Sequence, residues 1–250
     1  MKKPLKVFLV VLLVLIIDQG LKIWIKTNFS YGQEVFIFGF EWARLHFVEN
    51  NGMAFGLSLG GFYGKLALSL FRITAVFVLS YYISLLIKAE AKMGLLFSFS
   101  LILAGAIGNI IDSAFYGLIF SESYHGHIAT LFSEEGGYAG FLHGRVVDML
   151  YFPLFEGQFP DWFPFWGGNP FLFFRPVFNI ADMSITIGVA SIILFHRSFF
   201  SAQEKKEDTG QSSSVEESSE TNDENSKKKE TQENIPTQED DLSKSEHPSQ

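Results

Sequence analysis

Three aspartates sit where a charge is costly. Asp182 lies with Asn179 in the first turns of FRPVFNIADMSITIGVASIILF (residues 174–195), a stretch apolar enough to cross a bilayer. An aspartate at the centre of a spanning helix costs about 2.5–3.5 kcal/mol even on the most lenient insertion scale, so an ionisable residue there reads first as a functional site. Asp112 closes another apolar run, three residues after Asn109. Asp148 stands in GRVVDML, flanked by Val146, Val147, Met149 and Leu150, so its backbone is expected to dip against apolar structure. Carboxyls about 3 Å apart cannot both ionise, and one keeps its proton to higher pH. One then acts as a base toward water and the other as an acid toward a carbonyl or leaving group. That is the chemistry of aspartic peptidases, and all three aspartates are candidates for it.

Such a site needs elements that bring distant residues together. Four apolar stretches are long enough to span a membrane: about 6–25, 66–87, 94–112 and 177–196. Gly105 and Gly108 lie one turn apart near the end of the third and permit close approach of another helix or a ligand. Residues 27–64 hold two short runs of aromatic and β-branched residues, Val35–Phe40 and Trp42–Val48. They also hold Asn51-Gly52, a strong tight-turn signal, and predict a small extramembrane β-sheet. A long outer loop, 113–176, separates the third and fourth stretches and carries FPDWFPFWGGNPFLFF, whose rings suit headgroup depth. Residues 201–250 lack the apolar surface to offset ordering entropy and predict a disordered tail. The expected architecture is an all-α membrane protein: a four-transmembrane-helix bundle with a small sheet and that C-terminal tail.

Charge and composition agree with this division. The segment Gln203–Gln250 carries 14 acidic residues against 6 lysines, which accounts for the whole net charge of −8. The membrane part is neutral, so the acidity implies nothing about a binding face. With no cysteine, thiol and disulfide chemistry are excluded. Lys2, Lys3, Lys6, Lys88, Lys92, Arg197, Lys205 and Lys206 fall on one side of the predicted topology, which makes that side, and both termini, cytoplasmic.

With this topology the polar residues inside the spans share one depth. Asp18 and Lys22 lie toward the outer end of the first helix, Arg72 toward that of the second. Asn109 and Asp112 close the third, and Asn179 and Asp182 open the fourth. A water-accessible pocket at the outer end of the bundle explains the coincidence. Plainer roles stand beside this one. Asp18 and Lys22 are spaced to pair along one helix face, Asn179 suits an N-cap, Asn109 and Asp112 can cap a turn, and Asn50 with Asn51-Gly52 can be only a hairpin turn. The group His125, His127, His143, Glu122, Glu134 and Glu135 has no metal-ligand spacing and reads as a solvated loop. A multipass transporter would favour a midplane site in repeated halves, and no repeat is seen. A non-catalytic lipid-binding membrane protein is a further alternative. Neither a G-x-S-x-G nor an H-E-x-x-H stretch supports serine or zinc proteolysis.

Five blocks carry a family resemblance: DQGLK with Asp18 and Lys22, ENNGMAF at 49–55, GAIGNIID at 105–112, GRVVDM at 144–149 and FNIAD at 178–182. In order and topology they resemble the lipoprotein signal peptidases (signal peptidase II) of the bacterial cytoplasmic (inner) membrane. The resemblance implies Asp148 and Asp182 as the catalytic aspartates. It implies Asp18, Lys22, Asn50, Gly52, Gly108, Asn109, Asp112, Arg145 and Asn179 as substrate-binding or site-supporting residues. It further implies a diacylglyceryl-modified prolipoprotein as substrate, cut on the amino side of the lipid-modified cysteine. Membrane lipid is the other expected partner. No nucleic acid, metal or cofactor is expected, and the chain is expected to act as a monomer with its site toward the outer side. The family commonly has arginine after the GNxxD block, where this chain has Ser113, so Arg145 or Arg72 is a candidate replacement. The loops on both sides of Asp148 look longer than is typical and are candidates for an extra lid or platform.

Overall fold

The computed structural model describes residues 2–51, 61–173 and 176–196, all within one unit of the chain, Met1–His196. Gly52, Arg175 and the predicted tail, 201–250, lie outside the described residues.

Helix α1, Lys3–Asn28, begins with a proline in its first turn, where the missing N–H costs no hydrogen bond. It ends where Phe29 turns extended, with Phe29 N–H donating to Ile25 O at 2.8 Å. Its 26 residues rise about 39 Å. Helix α2, Gly61–Lys88, begins five residues before the predicted second span, and α3, Met93–Ile111, coincides closely with the third. After α3 the chain continues as one π-helical turn, Asp112–Tyr116, and a short helix α4, Gly117–Ile119. The three helical stretches Lys3–Asn28, Tyr63–Lys88 and Met93–Ile119 are long and apolar enough to cross a membrane.

The fourth predicted span, 177–196, is corrected at its start. Val177–Phe178 is a strand and Asn179 is extended (φ −122°, ψ 179°), so helix α5 runs only Ile180–Phe195. Its 16 residues rise about 24 Å, short of the roughly 30 Å hydrocarbon core. The physical reason is the cap. Asn179 Oδ1 accepts the Asp182 N–H at 2.9 Å, which fixes the first helical residue there.

The sheet also reaches beyond the predicted 27–64. Strands β1 (Glu34–Ile37) and β2 (Phe40–Asn50) form the expected hairpin, but its turn is Phe38-Gly39, both at positive φ, as a two-residue hairpin turn requires. Two strands from the predicted loop then add to it: β3 (Val146–Tyr151) beside β2, and β6 (Val177–Phe178) beside β3. The order is β1-β2-β3-β6, all antiparallel. A separate hairpin, β4 (Phe155–Gln158) with β5 (Pro170–Phe173), fills the interval between β3 and β6. Asp148, expected in a loop, is therefore held in a buried stretch of β3, paired with Val48 of β2, while β6 pairs with the end of the same strand.

Helix α3 is the hub of the bundle and packs on α1, α2 and α5. Its glycines set the spacing to α5. A Cβ on Gly105 would lie 2.2 Å from Ala181 O and 2.7 Å from Ser184 Oγ. One on Gly108 would lie 2.7 Å from Asp18 Oδ2 and 3.2 Å from Ala181 Cβ. Small residues here replace the hydrophobic effect, which is absent between helices in lipid, with close van der Waals contact. The soluble-type core lies outside this seam, where Ile25, Phe29, Phe47, Tyr116, Phe120, Val147, Met149 and Leu150 pack between α1, the sheet and α4.

Candidate active site

Asp148 enters the site from β3, opposite Val48, and Asp182 from the first turn of α5. Asn179 joins them. Its Nδ2 donates to Asp148 Oδ1 at 2.7 Å while its Oδ1 accepts the Asp182 backbone N–H. Asn50, the last residue of β2, donates from Nδ2 to Asp148 Oδ2 at 3.1 Å. Asn109, from the last turn of α3, donates from Nδ2 to Asp182 Oδ1 at 2.8 Å, and its own Oδ1 accepts from Asn179 Nδ2 at 3.3 Å. Three asparagines, from β2, α3 and the cap of α5, thus hold two carboxylates, from β3 and α5.

The two acids differ in surroundings. Asp148 is buried and Asp182 is only partly so. Burial, and then the charge of Asp182, push the Asp148 carboxyl up to about 7, against the amides of Asn50 and Asn179 and the ammonium of Lys22.

Beneath the pair lies an ionic cluster with no solvent exposure. Lys22 Nζ donates to Asp18 Oδ2 at 2.9 Å, to Asp112 Oδ2 at 2.8 Å and to Asn109 Oδ1 at 3.1 Å. Gln19 Nε2 bridges Asp18 Oδ2 and Asp112 Oδ1, and Tyr116 Oη donates to Gln19 Oε1. The carboxylates have second duties. Asp18 Oδ1 accepts the Ala181 N–H at 2.8 Å, an orphan donor of the α5 first turn. Asp112 Oδ2 accepts the Val147 N–H at 3.2 Å, one residue before Asp148. Asp112, one of the three acids considered for acid–base work, is thus committed to Lys22, Gln19 and the β3 backbone. The spacing of Asp18 and Lys22 is satisfied twice, along the helix face and across to α3.

Comparison with known proteins bears on this geometry. A family model described as Signal peptidase (SPase) II matches residues 10–199. The chain is 54% identical over 185 residues to a lipoprotein signal peptidase of Porphyromonas gingivalis, covering 74% of this chain and 79% of that one. It is 39% identical over 200 residues to a lipoprotein signal peptidase of Amoebophilus asiaticus, covering 79% and 80%. The chain belongs to the signal peptidase II family. A solved bacterial membrane enzyme, determined by the in meso method, aligns with a TM-score of 0.50 and 26% identity over 76% of this chain and 90% of that one.

Set in a signal peptidase II fold, the remaining predicted residues sort by contact. Gly108 backs onto Asp18. Arg145 is engaged by other acids. Its guanidinium bonds Glu49 Oε2 at 3.3 Å and Glu122 Oε1 at 2.8 Å and lies over the Tyr138 ring. Arg72, on α2, stands within electrostatic reach of Asp182, Asp112 and Asp148. Ser113 is buried and its hydroxyl donates back to Asn109 O at 3.0 Å. The histidines of the predicted loop stay apart: His127 stacks on Tyr124, His125 meets Tyr31 edge-on, and His143 bonds Phe141 O. Among the described residues no group of three or more His, Cys, Asp or Glu is placed to hold a metal.

A second buried network escaped the sequence reading. Lys26 is fully buried, paired with Glu49, bonded to Ser123 Oγ at 2.8 Å and surrounded by the rings of Phe47, Phe120 and Tyr138. Glu49 precedes Asn50, so this pair anchors the strand end that presents Asn50 to Asp148. The available signal was the spacing: Asp18, Lys22 and Lys26 recur every four residues on one helix face. Gln19 was missed because a lone amide beside a charged pair carries no pattern.

Proposed function

We propose that this chain is a lipoprotein signal peptidase acting as an aspartic endopeptidase on diacylglyceryl-modified prolipoproteins. The observation that carries the reading is the Asn179 bridge between Asp148 and Asp182, in a chain of this family. A water between the two carboxyls attacks the scissile carbonyl carbon. Asp182, the more exposed acid, takes the water proton. Asp148, which near neutrality still holds a proton, donates a hydrogen bond to the carbonyl oxygen as it becomes an oxyanion. Collapse of the tetrahedral intermediate re-forms the carbonyl and breaks the C–N bond, and Asp182 passes the proton it took from water to the leaving amine of the lipid-modified cysteine. Asn50, Asn109 and Asn179 hold the carboxyls in this relation, and the Lys22 cluster holds the elements that carry them. Arg72 supplies the cation facing the pair, in place of an arginine at Ser113.

In the membrane, α1, α2, the α3–α4 path and the shorter α5 form four spans with both termini cytoplasmic and the site at the outer end. Support comes from the lysines at the inner ends of the helices and from the polar side chains gathered at the other end. The enzyme acts as a monomer and meets its substrate's acyl chains from the surrounding lipid.

Incubation of purified protein with a diacylglyceryl-modified precursor peptide and its unmodified counterpart tests the reading. Cleavage of the first only, lost in both Asp148→Asn and Asp182→Asn, is the expected result. Cleavage at near wild-type rate by either variant sinks the dyad assignment. Cleavage of both peptides sinks the substrate class.

A further inference from the structure

The hairpin of β4 and β5 ends in a loop that is mostly rings. Between Gln158 and Pro170 the chain reads FPDWFPFWGGN, with Asp161 its one charged residue. The loop's main chain bonds to itself: Phe163 N–H to Pro160 O, Gly167 N–H to Phe163 O, Gly168 N–H to Phe159 O and Asn169 N–H to Trp166 O, at 2.9–3.0 Å. Phe163 forms the centre of the cluster, against Phe159, Trp162 and Trp166. Outside it, Phe165 is 95% exposed and Trp162 79%. Phe165 also has φ +69°, a left-handed conformation that suits glycine or asparagine and disfavours an aromatic residue. A large apolar ring there is doubly costly in water.

We propose that this loop is a lipid anchor: Trp162, Phe165 and Trp166 enter the headgroup region of the bilayer leaflet that borders the active site. The proposal rests on the reading of α1 as a membrane span. The distribution of tryptophan points to lipid as the occupant. The chain has four tryptophans, each 47% exposed or more: Trp24 near the end of α1, Trp42 on β2, and Trp162 and Trp166 in this loop. Tryptophans gather at a membrane–water interface, where the ring is apolar and its N–H stays wet. The heights agree. Ala181 N–H bonds Asp18, and Trp24 lies about 9 Å further along α1. Val177 pairs with Tyr151 at the hairpin's root, four residues from Ala181 and within about 13 Å of it. The main-chain hydrogen bonds made within the loop lower the cost of bringing it to headgroup depth. The near absence of charge argues against an aqueous surface.

Full-length protein in phosphatidylcholine–phosphatidylglycerol vesicles tests this, using variants in which three of the four tryptophans are phenylalanine. Lipid brominated just below the headgroup, and aqueous iodide, are the two quenchers. Trp162 alone and Trp166 alone are each expected to lose most of their emission to the brominated lipid and little to iodide. Quenching by iodide with none by lipid overturns the anchor, because the loop is then in water. Protection from both overturns it too, because the rings are then packed on protein, whether a second copy or another segment. The variant retaining Trp24 separates the two readings. If Trp24 is quenched by lipid and the loop is not, only the anchor fails; if Trp24 is also unquenched, the spanning reading of α1 fails with it. Should a triple variant not reconstitute, the double variant W162F/W166F answers by difference: the absolute emission lost to brominated lipid must fall below that of the unaltered protein, and an unchanged loss overturns the anchor.

Discussion

Asn179 donates to Asp148 at 2.7 Å and, through its other amide atom, accepts the backbone N–H of Asp182 at 2.9 Å. One side chain therefore sets the first turn of α5 and the position of both candidate carboxyls relative to each other. Removing it loosens helix and site together. Asn179→Ala is expected to lower kcat about a hundredfold, the scale set by an ångström of misplacement. The lost cap should cost only about 1 kcal/mol of stability. Steady-state cleavage and thermal unfolding in the same detergent measure both, and an unchanged kcat would remove Asn179 from the positioning of the pair.

The Asp148 carboxyl titrates near 7, raised by burial and by Asp182. Because the proposed mechanism needs that proton, kcat/KM is expected to fall as pH rises through about 7. Stability follows the same group with a definite sign. Between 3.8 and about 7 the folded state holds a proton that the unfolded chain has released, so stability declines as pH rises across that window. Asp148→Asn should flatten the slope. An activity profile level across neutrality, or a slope unaltered in the variant, contradicts the assignment.

Lys22 compensates two buried carboxylates, so its removal leaves charge with no counter-ion. Lys22→Met is expected to destabilise by about 3–5 kcal/mol, the usual result of breaking a buried pair from one side. Adding Asp112→Asn should recover part of that loss, because one of the two stranded charges disappears. A double variant less stable than the single would show that Asp112 is held chiefly by Gln19 and the Val147 amide.

Gly105 leaves no room for a methyl group, since the new carbon would fall 2.2 Å from Ala181 O, a backbone atom two residues from Asn179. Gly105→Ala should push α5 away from α3, at about 1–3 kcal/mol, the range of overpacked cores. It should also lower cleavage, because Asn109 on α3 reaches Asp182 on α5 across the same seam. A change in unfolding temperature without a change in rate would separate the seam from the site.

Local signals in the sequence marked the apolar stretches and the hairpin and raised Asp112, Asp148 and Asp182 together as candidate acids, while the choice of Asp148 and Asp182 as a pair came from the family resemblance. An apolar run of fixed length marks a helix in lipid, alternating aromatic and β-branched residues mark strands, and a carboxylate in an apolar run is too costly to be idle. It also placed the polar residues at one end, since helix direction and residue number together fix depth. What it left open was pairing. GRVVDML reads as a loop until β2 and β6 flank it. Residues 177–179 look like the start of the apolar helix until β6 and the Asn179 cap set where α5 begins. Asp112 is indistinguishable in sequence from a third catalytic acid. It becomes Lys22's partner only because α1 lies against α3, with Gly108 backing onto Asp18. Lys26 and Glu49 lie 23 residues apart and declare themselves only when the sheet folds onto α1. Those decisions belong to tertiary structure because a buried charge takes its meaning from whatever the fold brings within hydrogen-bond distance, and sequence separation carries no record of that.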